Sequence, residues 1–89
     1  LHARGQLDEA LRIREQEELP ALERLGDVRG VLVARANLAL NLLDRAAPGD
    51  RDKARGLLCL ALTDARRLRI PEAGQIEAFL QLTGLRCDA

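Results

Sequence analysis

Much of this 89-residue chain's chemistry is narrowed by what it does not contain. It has no Trp, no Tyr and no Met, and Phe79 is its single aromatic residue. A core must therefore be built from Leu, Ala, Val and Ile, and almost nothing is on offer for a base to stack on. Excess charge is missing too, because 14 basic residues face 14 acidic ones. No net field steers a polyanion, which argues against a nucleic-acid or anionic-membrane surface. The longest apolar run, near Leu57 to Leu62, is far shorter than the roughly 20 residues of a bilayer span. Nothing resembles a signal peptide, and a cytoplasmic location is expected.

Catalytic equipment is equally thin. A single His and two Cys without an evident base beside them assemble into no nucleophilic triad, and no glycine motif for phosphate is present. His2 sits near a terminus expected to fray, so no metal or acid–base role is assigned to it. Glu17 with Glu18, and Asp50 with Asp52, are pairs only in sequence, where capping and solvation account for them. The expectation is a protein that is not an enzyme and has no cofactor or metal. Cys59 falls within a predicted helix and Cys87 in a tail, with no framework spacing, so reduced thiols are expected. The opening "LHARGQ" reads as the end of a preceding element, and the chain as a fragment of something longer.

What is present is helix. A composition 47% hydrophobic and 31% charged suits one soluble domain over residues 1–89, small enough to need tight packing or a neighbour. Four helices separate at turn signals. The first, about 7–25, carries the stripe Leu7, Ala10, Leu11, Leu19, Leu22 and Leu25, and Gly26 ends it. Pro20 removes a donor to the Gln16 carbonyl, which predicts a bend between about Gln16 and Leu19 in a continuous helix. Arg14, Glu15 and Glu18 form a charged waist on the stripe's own side. Arg14 and Glu18 are spaced to pair; this waist either registers the helix against a partner or covers apolar surface with snorkelling side chains.

The second helix, about 27–45, is capped by Asp27 and is apolar nearly all round, leaving only Gly30, Asn37, Asn41 and Asp44 as a polar strip. Such a helix belongs between neighbours. Asp50 or Asp52 then caps a third, about 51–69, with the stripe Ala54, Leu57, Leu58, Ala61, Leu62, Ala65 and Leu68. Pro71 opens the fourth, about 71–83, with Ile76, Phe79, Leu80 and Thr83 on one side. Short connections imply antiparallel neighbours. Arg66, Arg67 and Arg69 suit the end of the third helix, where the macrodipole favours cations; a phosphate or acidic-peptide contact is the other reading.

Internal similarity is visible. "DEALRI" at Asp8 matches "DKARGL" at Asp52, 44 residues on, "ERL" at Glu23 matches "RRL" at Arg66 at 43, and "ARANLA" at Ala34 matches "AFLQLT" at Ala78 at 44. Helix pairs recurring at such a period form solenoids. On these residues, with "GQLDEAL" as a turn and second-helix start and "ARANLALNLL" followed by "ARGLLCLA" as a small-and-large packing pattern, the chain resembles the tetratricopeptide repeat family. Leu38, Ala39 and Leu42 match its first-helix packing positions, and Ala54, Leu58 and Ala61 its second-helix positions. Arg35 stands where the family prefers Trp and Arg14 where an aromatic is usual. The period exceeds the family's common one, which resembles a longer-helix variant in large bacterial multidomain proteins.

The resemblance implies an all-α fold, an α-solenoid of antiparallel hairpins with about four helices. It also implies a non-catalytic scaffold binding a protein or peptide partner. By position, Val33, Ala36, Asn37, Leu40 and Leu43, with Leu80 and Gln81, would face the concave groove; packing within the chain is the alternative for them. That surface would accept a helix or neighbouring repeat more readily than a charged tail. Leu7, Leu11, Arg14, Glu18 and Leu22 would lack a preceding helix and carry self-association as a homodimer. Two other readings stand: a sensor or regulatory helical domain of a DNA-associated regulator, and a structural spacer in a larger multidomain enzyme.

Overall fold

The computed structural model describes residues 4–87, whose regular structure is entirely helical, as the all-α expectation required. Helix α1 (Arg4–Ile13) runs through a π-helical turn (Arg14–Glu18) into α2 (Leu19–Leu25), and α3 (Val28–Arg45), α4 (Asp50–Leu68) and α5 (Glu72–Thr83) follow. His2 lies outside the described residues. Ion pairs between helices give their directions. Arg45 reaches Asp8 and Arg35 reaches Glu23, so α3 returns antiparallel to the α1–α2 rod. Arg45 with Asp50 and Arg35 with Asp64 set α4 antiparallel to α3. Arg66 with Glu77 and Arg51 with the Thr83 carbonyl do the same for α5 on α4.

Pro20 acts through the π turn. The backbone stays helical from Ile13 to Leu19, and the Leu19 N–H donates to the Arg14 carbonyl, one residue further back than in an α-helix. This wider turn relieves the crowding that a proline imposes on the turn before it. Its cost is register. Leu25 lies five turns of about 3.6 residues beyond Leu7, so a regular helix would align the two. One extra residue rotates everything downstream by about 100°, turning Leu25 away and bringing Leu19 into line. Leu25 is accordingly 79% exposed, whereas Leu19 and Leu22 are half-buried. Leu25 therefore does not belong to the stripe in which its spacing had placed it.

The turns are built from capping chemistry. Gly26 takes φ 71°, a left-handed conformation that lets the Asp27 N–H reach back to the Leu22 carbonyl. Asp27 Oδ1 then accepts the Gly30 N–H at 2.8 Å to start α3. Asp50 is used differently from the simple cap its spacing suggested. Its carboxylate faces back over the α3–α4 turn, accepting Arg45 Nε and Nη2 at 2.7 Å each and the Ala47 N–H at 3.0 Å. Only 4% of Asp50 is exposed, so three donors replace its water.

The core sits between α3 and α4, the most extensive interface of the fold. Ala39, Ala54, Ala61 and Ala65 are fully buried, and their small side chains let the backbones close in while Leu32, Leu42 and Leu58 fill the grooves. Leu11 attaches the first rod to this core, and Ile76, Leu80 and Leu85 attach α5 and its tail. One expectation fails outright: Cys59 and Cys87 are disulfide-bonded, not free, with Cα atoms 5.4 Å apart. The chain climbs α4 beyond Cys59, turns at Ile70–Pro71, and descends along α5. Leu85 then tucks into the core and sets Cys87 beside its partner.

Candidate functional site

A groove of about 280 Å³ runs between α3 and α5, with α4 beneath it. Val33, Ala36, Asn37 and Leu40 project from α3, and Gln75, Ile76 and Phe79 form the opposite wall; Leu32 and Leu58 make the floor. The two walls come from parallel helices, because α3 and α5 each pack antiparallel to α4. Val33 and Leu40 are about two-fifths exposed, a large apolar area for positions flanked by so much buried leucine. The polar groups among them are the amides of Asn37 and Gln75, at opposite sides, together with Glu72 at one end.

Arg29 of α3 closes that end. Its Nε and Nη2 donate to Glu72 Oε2 at 2.9 and 2.6 Å, tying the first turn of α3 to the first turn of α5. The guanidinium holds the Glu72 carboxyl below its ordinary range. Past Val33 and Asn37 the surface continues into a more open depression that reaches Glu18 and Leu22 of the first rod. The α3–α5 groove is the better candidate because its lining is the more apolar and the more enclosed.

Of the residues assigned to a groove by position, Val33, Ala36, Asn37 and Leu40 lie together on this surface, while Leu43, Leu80 and Gln81 do not line it. Leu80 is buried at 6% and Gln81 faces solvent outside the groove. Their places are taken by Ile76, Phe79 and Gln75. A repeat offset of 43 would have found two of them, since Val33 and Ala36 then map to Ile76 and Phe79; it misses Gln75 and still maps Asn37 to the buried Leu80. Counting 44 instead moves each assignment one residue along α5, about 100° round the helix.

Of the set assigned to self-association, Leu7 and Leu11 pack on the chain's own core. Leu11 is 5% exposed against the core, and Leu7 and Leu22 are half-buried on the same side. Arg14 and Glu18 pair with each other at 3.5 Å, and Glu15 pairs with Lys53 of α4. One of the three waist residues, Glu15, thus does register the rod, but against α4 of its own chain. Arg66 donates to Glu77 and Arg67 to Asp64, so two members of the arginine cluster are neutralised where they stand. Arg35 likewise faces two carboxylates, Asp64 and Glu23, and lies mostly covered between α4 and α2.

Comparison with family models, with curated proteins and with solved structures finds no match to this chain. Among the described residues, no helix is long and apolar enough to cross a membrane.

Proposed function

We propose that the chain is a non-catalytic recognition scaffold, a tetratricopeptide-like stack of antiparallel helices whose α3–α5 groove takes the apolar stripe of a helical segment from a partner protein. The observation that carries this reading is the groove itself. Val33, Leu40 and Phe79 stand open on it, and its polar groups away from the Arg29–Glu72 closure are uncharged amides. Its volume of about 280 Å³ falls at the lower edge of small-molecule pockets, which run from roughly 300 to 1,000 Å³. A few side chains of a docked helix fill it, while Asn37 and Gln75 set orientation by hydrogen bonding.

The balance of 14 basic against 14 acidic residues supports this reading over a DNA-associated one, because no net field draws a polyanion to the chain. A cytoplasmic location has one observation against it. Disulfides persist in oxidising compartments, and those of the cytosol are usually catalytic or redox-sensing.

The test is an NMR titration of the chain with a panel of amphipathic helical peptides. A binder is expected to shift the amides of Val33, Asn37, Leu40, Gln75 and Phe79, and to lose at least tenfold in affinity with Leu40→Glu. That substitution is at an exposed position, so the fold tolerates it. Binding that maps to another surface, or that is indifferent to Leu40→Glu, refutes the proposal.

A further inference from the structure

We infer that the Cys59–Cys87 disulfide is a redox-operated latch holding α5, one wall of the groove, against α4. Helix α5 is lightly attached to the α3–α4 core. It packs on α4 with much less contact than α3 does, and its own contribution to the fully buried core is Ile76 and Leu80, with Leu85 following in the tail. Its polar ties are Glu72 to Arg29, Glu77 to Arg66, and the Thr83 carbonyl accepting Arg51 Nη2 at 2.5 Å. All three involve an exposed arginine, and ties of that kind contribute little against solvent. The covalent bond is the strong one.

The bond spans a separation of 28 residues that contains the second half of α4, the turn and the whole of α5. Loop closure of that length suppresses the state in which α5 swings free by up to about 400-fold. The bond is also reachable, since Cys87 is exposed and Cys59 half-buried. A thiolate of a dithiol reductant attacks the Cys87 sulfur, forming a mixed disulfide and releasing Cys59 as a thiolate that takes up a proton. The second thiol of the reductant, deprotonated, then displaces Cys87, which leaves as a thiol, and the reductant departs as its own disulfide. Two electrons and two protons pass to the protein.

Release of α5 removes Gln75, Ile76 and Phe79 from the groove. This consequence rests on the proposed binding function; the latch itself does not. Hydrogen exchange separates the two. The amides of Ile76, Phe79 and Leu80 are followed against those of Leu38, Ala39 and Leu42 in the oxidised chain, after reduction with dithiothreitol, and in the double variant Cys59→Ser with Cys87→Ser. The expected result is a loss of protection in α5 of at least tenfold and up to about 400-fold, with α3 unchanged and recovery on reoxidation. Unchanged protection in α5, or an equal loss in α3 and α5, overturns the latch. Should the double variant fail to fold, the reduced wild-type chain still decides. If α5 opens on reduction but a groove-binding peptide keeps its affinity, the latch stands and the groove reading falls.

Discussion

Replacing Asp50 with Ala tests how the α3–α4 turn is held. The carboxylate accepts two charge-assisted bonds from Arg45 and one from the Ala47 N–H, and is almost wholly shielded from water. Charge-assisted bonds contribute about 1.5–3 kcal/mol each where both partners are shielded. Arg45 is partly exposed and keeps its contact with Asp8 at 3.2 Å, so only part of that is lost with the variant. The Ala47 N–H loses its partner in a half-buried turn, at about 1 kcal/mol. Together these give a destabilisation of about 2–3 kcal/mol, a shift in Tm of roughly 10–20 °C for a domain of this size.

The effect also has a pH signature. Arg45 holds the Asp50 carboxyl below its ordinary 3.8, so the folded chain releases this proton more readily than the unfolded one does. The stabilisation is therefore complete above the unfolded value and is lost as pH falls through the lower, folded value. Guanidinium titrations of wild type and Asp50→Ala at pH 7 and at pH 2 measure it. A difference below about 0.5 kcal/mol at pH 7, or one that does not shrink at pH 2, would refute the account of Asp50 as the clamp of this turn.

Glycines in helices give a second contrast. Gly56→Ala meets nothing within 4 Å and should stabilise by about 0.5–1 kcal/mol, whereas the new methyl of Gly30→Ala presses on the Asp27 carboxylate, with Cγ only 2.7 Å away. Displacing that cap cancels the gain, so urea melts of Gly30→Ala should show no net stabilisation. Arg69 ends α4 at φ 56°, and Arg69→Gly should raise stability by about 0.5–1 kcal/mol in the same assay, despite the looser unfolded chain. Ala61 has no exposed surface between closely packed helices, and Ala61→Leu should lower stability by about 1–3 kcal/mol through overpacking; an unchanged melting curve would show that the α3–α4 interface has room to spare.

The all-helical class could be read from periodicity, and so could the central place of α3, since Leu32, Leu38, Ala39 and Leu42 point to more than one neighbour. Gly26 and Pro71 marked helix boundaries because each has a backbone preference that acts locally. What escaped the sequence depended on tertiary geometry. The π turn was legible as trouble at Pro20, but whether a helix answers a proline by bending or by widening is not written in the spacing of leucines. The misplacement of Leu25 followed from that. The disulfide escaped because Cys59 and Cys87 meet only after α5 has folded back and Leu85 has docked. On the candidate groove, the α3 positions carried over from the repeat resemblance line it except Leu43, while on α5 an offset of 43 rather than 44 recovers Ile76 and Phe79 but not Gln75, because a helix converts one residue into a change of face.

The π turn also bears on whatever covers the outside of the first rod. Because the extra residue keeps Leu7, Leu11, Leu19 and Leu22 on one covered side, the outward side of the rod is also continuous, but the residues that occupy it shift by one, about 100° of helical phase, across Arg14–Glu18. A straight helix lying along the open side of the rod would therefore meet Leu25, which an unbroken helix would have turned inward with Leu7. Through the turn that precedes it, the proline thus hands one apolar side chain to the outside of the rod, where a second layer would find it.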